Sequence, residues 1–372
     1  LSEFQREGFD VPVMIGGATT SKIHTAVKLA PHYEGVVSHV ADASLVVEVG
    51  NKLLSPNTKE AYSREVKALN VSLKENYESS LASSVRVPLE EARRAKYNCD
   101  WAKADIATPS RKGVFELATS VQELRSFIDW SPFFWAWELK GLFPKILDSE
   151  KYGTEARKLY DDAQSLLDQM IREKRVQPKA LVGIFSADSE NESVRVYSDK
   201  KELLEVLHFA RQQREKVINN GIHYCLADFI APAGAQRQDH IGLFVTTAGE
   251  QIEIMAKEFE AQHDDYNSIL VKAVGDRLAE ALAEWTHKQV RSLFGIRENL
   301  SNEDLIAEKY RGIRPAPGYP ACPDHSEKKK IWKLLDAENK TGVRLTENFA
   351  MTPASSVSGY YFLHDGARYF AI

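Results

Sequence analysis

The sequence predicts two fold classes in one chain: a truncated α/β segment first, then a larger α+β domain with a largely antiparallel sheet and long helices. Three observations carry this. Residues 11–56 alternate short apolar runs with helical text. Residues 180–249 hold several strand-like runs that do not alternate cleanly with helices. Residues 266–294 keep an unbroken apolar spacing of three and four, the mark of a long amphipathic helix.

In chain order, VPVMIGG (11–17) and GVVSHVADA (35–43) read as strands, with SKIHTAVKLAPHY between them and ASLVVEVGNKLLS after them as helices. Strand and helix alternating over short connections is the pattern of a parallel, doubly wound sheet. Four elements are too few to complete one, so the segment is expected to be open on its N-terminal side. The first residue is Leu1, not Met, and the chain is expected to be a fragment. Residues 57–80 are polar, with Ala61, Val66, Leu69 and Leu73 at helical spacing, and the text from Ser79 to about Pro109 is irregular. The expected organisation is therefore 1–56, a helical segment and linker at 57–110, and a domain at 111–372. In that domain Leu159, Ala163, Leu166, Met170 and Ile171 share one face of a helix over 154–173. Strands are expected at 180–187, 193–198, 223–232 and 240–249, with a helix over 201–217 among them. The helix after Ser326 should end at Gly342, a plausible left-handed C′ residue. VSGYYFLH (357–364) and RYFAI (368–372) are expected to close the sheet as a strand pair.

Composition narrows the function classes. The 372 residues are 43% hydrophobic and 27% charged, with a formal charge of -5, enough apolar text for cores and no excess of Lys and Arg. That balance argues against nucleic acid or an anionic membrane as partner. Cys99, Cys225 and Cys322 lie far apart without a CxxC pair, as expected in a reducing cytoplasm. No apolar run is long enough to span a bilayer.

The most unusual text is RPAPGYPACPDH, residues 314–325. Its prolines exclude a helix interior and a central strand, Pro315 pushes Arg314 towards extended geometry, and Gly318 can take positive φ. One reading is a stiff ribbon whose free backbone groups meet a ligand, with Arg314 as a forked cation for a carboxylate. The other is a rigid connection before the Ser326 helix. On the first reading Arg314 should be removable with little loss of fold stability. Asp129 and Tyr361 also read two ways, as ligand contacts or as a helix cap and a strand core residue. Asp276, Glu280 and Glu284 recur every four residues on the polar side of the long helix, as a solvated face or an acidic wall. Cys322 and His325 have CxxH spacing without a second pair, so zinc is not expected. His263-Asp264-Asp265 opens a helix, where acidic residues suit the dipole. No nucleophile, triad or metal cluster stands out.

RPAPGYPACPDH resembles the S-adenosylmethionine-binding signature of the activation domain of cobalamin-dependent methionine synthases. IDWSPFFWAWELKGLFPKIL (128–147), YCLADFIAP (224–232), QHDDYNSILVKAVGDRLAEALAEW (262–285) and MTPASSVSGYYF (351–362) are similar to the same family in the same order. GGATTSKIHTAVKLAP (16–31) resembles the last part of its Rossmann-like cobalamin-binding domain. The resemblance implies S-adenosylmethionine contacts at Asp129, Glu280, Arg314, Tyr319, Tyr361 and Phe362, and cobalamin contacts at Gly16, Gly17 and Ala43. An aspartate would meet the ligand's ammonium, an arginine its carboxylate, and aromatic faces its sulfonium and adenine. The acidic stripe would then face the sulfonium, or a histidine released from cobalt. The family's DxHxxG segment, whose histidine ligates cobalt, has no counterpart in this chain. The implied role is reactivation: one electron, from a flavodoxin or related flavoprotein, returns cob(II)alamin to its nucleophilic state, and S-adenosylmethionine remethylates it. The implied intramolecular partners are upstream cobalamin, folate and homocysteine domains. A docking module for the electron donor, or a self-contained methyltransferase, remain as alternatives.

Overall fold

The computed structural model describes residues 1–16, 20–40, 46–82, 86–214 and 221–372, with the backbone alone at 79–82. The chain divides into two compact units, Leu1–Arg86 with Arg214–Lys216, and Val87–Gln213 with Val217–Ile372. The division between the compact units thus falls within the segment expected as helix and linker, 57–110. The polar helix Lys59–Ala82 belongs to the first unit, and a short helix, Leu89–Arg94, belongs to the second.

In the first unit β1 (Val13–Ile15) pairs in parallel with β2 (Val37–His39). Ser21 caps the intervening helical turns by accepting a hydrogen bond from the His24 amide at 3.1 Å, satisfying an otherwise orphaned donor. The helix Val46–Leu54 follows β2, and Val36, Leu53 and Val66 form a small core. Gly16 lies just after β1, where an added Cβ would come within 3.2 Å of the Val40 carbonyl oxygen. Gly17 and Ala43 lie outside the described residues.

The second unit is built on a six-stranded antiparallel sheet. Its path runs β10 (Ser356–Tyr361), β7 (Asp239–Thr247), β4 (Lys179–Glu190), β5 (Ser193–Tyr197) and β6 (Leu203–His208), and β3 (Gly113–Leu117) pairs with β4 off that path. Two further short strands, β8 (Arg344–Leu345) and β9 (Met351–Thr352), pair with each other. β7 is buried along its whole length because both sheet faces are covered. Leu243, Val245 and Tyr360 join the core on one face, and Phe244, Val182 and Tyr361 the core on the other. Side chains alternate between faces along a strand, so a strand covered on both sides reads as continuous apolar text. That is why 240–249 stood out in the sequence.

The long helix Asp265–Leu293 covers one face, starting where Asp264 accepts a hydrogen bond from the Asn267 amide at 3.0 Å. The helix-opening reading of His263-Asp264-Asp265 thus holds. The helix Gly153–Glu173 and the short helix Ser131–Ala136 pack into the same apolar core as the long helix.

Three expected elements differ. Residues 201–217 were expected as a helix, but 203–208 form β6, the edge partner of β5, with Val194 opposite Leu207 in the core. Leu and Glu favour helix only weakly, and hairpin pairing overrides them. Residues 223–232 are not a strand, because Leu226–Phe229 makes a 3₁₀ turn whose buried Asp228 accepts the Cys225 amide at 3.0 Å and pairs with Arg211 at 2.8 Å. Residues 368–372 are not a strand either. Phe370 stacks on Tyr224, with centroids 5.7 Å apart, and the Ile372 amide donates to the Pro320 carbonyl at 3.0 Å. The helix after Ser326 breaks at Asp336 (φ +53°) into Lys328–Leu335 and Ala337–Thr341, and it closes on Gly342 at φ +82°.

Candidate functional site

The proline-rich ribbon lies along the free edge of β10. The Ile313 and Phe362 backbones exchange hydrogen bonds at 2.9 and 3.1 Å, and the Tyr360 amide donates to the Pro315 carbonyl at 2.9 Å. The ribbon then folds on itself: Tyr319 donates to the Ala316 carbonyl, Cys322 to that of Tyr319, and Gly318, at φ +100°, to that of Cys322 at 2.7 Å. A Cβ on Gly318 would overlap the His325 ring at 2.1 Å, which explains the glycine. An edge strand left unpaired needs partners for its amides and carbonyls, and the ribbon supplies them. Among the described residues the Arg314, Gly318, Tyr319 and Cys322 amides are engaged in this way, whereas those of Ala316 and Ala321 make no hydrogen bond within the protein and stay available to a ligand. The side chains add to what the ribbon offers. The connection reading holds as well, since Asp324 accepts the Ser326 amide at 2.8 Å where the next helical turn begins.

Those side chains line a cavity of about 550 Å³ whose walls include Glu280, Glu308, Arg314, Tyr319, Tyr369 and Phe370. A volume of several hundred Å³ with a few convergent polar groups is typical of a small-molecule site. A somewhat larger cavity, about 650 Å³, lies between residues 116–122 and 170–180. It contains none of the candidate ligand contacts named from the sequence.

Of the six expected contacts, the structure brings Glu280, Arg314 and Tyr319 to one cavity. Tyr319 is 63% exposed, its ring open to solvent. Asp129 is not in that wall, and its carboxylate accepts the Ser131 amide at 3.0 Å at the start of the short helix Ser131–Ala136. Tyr361 and Phe362 are fully buried. Tyr361 sits between Phe244 and His287, with ring centroids at 4.6 and 4.9 Å, and Phe362 packs against Phe209 at 5.7 Å. In this structure both rings belong to the core and neither faces the cavity.

The acidic stripe divides in three. Asp276 is exposed and accepts the Ser355 hydroxyl at 2.9 Å, Glu280 lines the cavity, and Glu284 is 5% exposed and ion-paired to Arg314. A step of four residues overshoots a 3.6-residue turn by about 40°, so an every-fourth stripe winds around its helix. By its third member it has left the solvent side.

Arg314 Nη1 donates to Glu284 Oε2 and, at 2.7 Å, to the Tyr310 hydroxyl, while the Arg314 amide donates to the Tyr369 hydroxyl at 3.1 Å. Burial works against the guanidinium charge, but Glu284 beside it holds Arg314 above the ordinary arginine range. Burial pushes the Glu284 carboxyl up, and Arg314 pulls against that rise. The Tyr310 ring meets His287 edge-on at 4.7 Å and carries the Arg291 guanidinium 4.2 Å over its face. His287 is wholly buried, and burial, with Arg291 and Arg314 near it, keeps it well below its ordinary value and thus neutral. Tyr310, Tyr369 and Glu308 are site residues that the sequence reading missed, and Glu284, named there only as part of the acidic stripe, turns out to be the partner of Arg314. The available signal was Glu284 inside ALAEW (281–285), a carboxylate in an apolar run that needs a buried partner.

With one held guanidinium, two open carboxylates and aromatic walls, the cavity suits a small ligand carrying both a carboxylate and positive charge. The domain that holds the cavity is similar to known proteins. Residues 120–372 match the model of the family "Vitamin B12 dependent methionine synthase, activation domain". A crystal structure of the MetH reactivation domain bound to AdoHcy is similar at 47% identity and a TM-score of 0.75, over 77% of this chain and 89% of that one.

Proposed function

The chain belongs to the activation-domain family of vitamin B12-dependent methionine synthases, and on that footing we propose that it binds S-adenosylmethionine in the Arg314 cavity to serve reductive remethylation of the cofactor. The observation that carries the reading is the cavity itself: a charged, held guanidinium beside the open carboxylates Glu280 and Glu308. The similar MetH domain was crystallised with AdoHcy, the molecule that remains when S-adenosylmethionine gives up its methyl group. Arg314 takes the ligand's carboxylate, Glu280 and Glu308 favour its ammonium and sulfonium, and Tyr319 covers the cavity mouth. These residues hold and orient the donor, and alignment of reacting groups is itself a large contribution to rate.

The family's cobalamin supplies the metal that accepts the methyl group. The cobalt-ligating DxHxxG segment is absent from this sequence, so the residues present do not make up a complete cobalamin site. Methyl transfer belongs to the whole multidomain enzyme, with a flavodoxin-like protein as the electron donor. A self-contained methyltransferase and a pure docking module are both disfavoured by the family match.

Calorimetric titration of this chain with S-adenosylmethionine and with S-adenosylhomocysteine tests the reading. One-site binding of both is expected, and Glu280→Gln should weaken the cationic ligand, by up to about fivefold for an exposed carboxylate, more than the neutral one. Absence of binding by either ligand would refute it.

A further inference from the structure

The way Arg314 is held says more about its use. This inference deepens the proposed S-adenosylmethionine site and rests on that reading. A guanidinium has five N–H donors in a fixed fork. The two on Nη1 are both engaged inside the protein, one by Glu284 Oε2 and the other by the Tyr310 hydroxyl at 2.7 Å. Among the described residues the side chain makes no other hydrogen bond, which leaves the Nε–Nη2 edge for a ligand. Glu284 approaches from the long helix and is 5% exposed, whereas Arg314 borders the cavity.

We propose that Glu284 is a positioning residue: with Tyr310 it clamps Nη1 from behind, so that the Nε–Nη2 edge is preset as a two-donor fork for the carboxylate of the bound amino-acid moiety. The physical reason is pre-organisation. A free arginine gives up its rotamer freedom when it binds, and a clamped one has given it up already. The clamp also gives the guanidinium a counter-charge, so it persists in a largely buried place without ligand. A carboxylate beside a ligand-binding arginine has another physical reading, as a competitor that the ligand must displace. That reading predicts the opposite sign. It fits the geometry less well, because Tyr310 shares the same nitrogen and the second edge stays unused.

The test compares two ligands that differ by one group, S-adenosylmethionine and its decarboxylated form, which keeps the sulfonium, adenine and ammonium. Both are titrated into the wild-type chain, Glu284→Gln and Tyr310→Phe, with thermal melts to confirm folding. The dissociation constant for S-adenosylmethionine should rise about tenfold in Glu284→Gln, the scale of one charge-assisted contact, and less in Tyr310→Phe. The decarboxylated ligand should bind all three proteins alike. Equal loss for both ligands would make Glu284 a structural residue, and tighter S-adenosylmethionine binding would make it a competitor; either overturns the proposal. If Glu284→Gln does not fold, Tyr310→Phe decides by the same selectivity. If the wild-type chain binds neither ligand, the S-adenosylmethionine reading itself falls.

Discussion

Arg314→Ala should damage the fold as well as the site, in contrast to the expectation from the sequence. The substitution strands Glu284, whose carboxylate is 5% exposed and whose Oε1 already lacks a hydrogen-bond partner within the protein. Removing one member of a buried ion pair costs about 3–5 kcal/mol. For a unit of this size each kcal/mol lowers the melting temperature by roughly 2–4 °C, so a fall of about 10 °C is expected. The loss should depend on pH in a definite direction. Burial raises the Glu284 carboxyl even with Arg314 present, and without that arginine the rise is opposed less, by Arg291. A group whose folded value lies above its unfolded one favours the fold at low pH and penalises it as pH climbs through the folded value. The deficit of Arg314→Ala should therefore be small below the ordinary carboxylate range and grow towards neutrality. Adding Glu284→Gln, which removes the stranded charge, should restore half or more of the loss. Thermal melts of wild type, single and double variants from pH 4 to 8 provide the assay. A single variant within about 1 kcal/mol of wild type, the span of an exposed pair, or a double variant no better than the single, would refute the reasoning.

Three further outcomes follow from the geometry. Gly359→Ala would place a Cβ 2.5 Å from the Pro315 carbonyl oxygen; the ribbon should shift, with a cost of about 1–3 kcal/mol and weaker S-adenosylmethionine binding, and unchanged affinity in a titration would show that the ribbon's seat on β10 does not set the site. Tyr361→Phe deletes a hydroxyl that is buried without a hydrogen-bond partner, so stability should be equal or higher and ligand affinity unaltered; a clear loss of affinity would return Tyr361 to the ligand. Asp239 and His240 are adjacent and buried, and burial pushes the carboxyl up to about 6 and the imidazole down to about 4, each worth ~3 kcal/mol with opposite sign. As pH falls from 6 to 4 the aspartate gains stability for the fold and the histidine loses it. Relative to wild type, His240→Gln should become more stable and Asp239→Asn less stable over that range, and parallel denaturation curves at both pH values would rule this out.

The sequence by itself determined a good deal about this protein. Periodicity placed the long helix and the buried strands β4 and β7, because burial on one stripe or on two faces leaves a pattern that needs no partner to be read. Gly342 and Gly318 announced their left-handed backbones, and the four-proline ribbon marked the segment that borders the cavity. Only the tertiary structure decided the rest. Residues 203–208 have helical composition, and the long-range pairing of β6 with β5 made them a strand. Tyr361 and Phe362 follow strand alternation to opposite faces of β10, both of them covered by the core. Glu284 shared a stripe with Asp276 and Glu280 in sequence but not in space, since a four-residue repeat drifts around a 3.6-residue helix. Its pairing with Arg314, thirty positions along the chain, is a contact between separate elements, and no local pattern records which buried charge will find which.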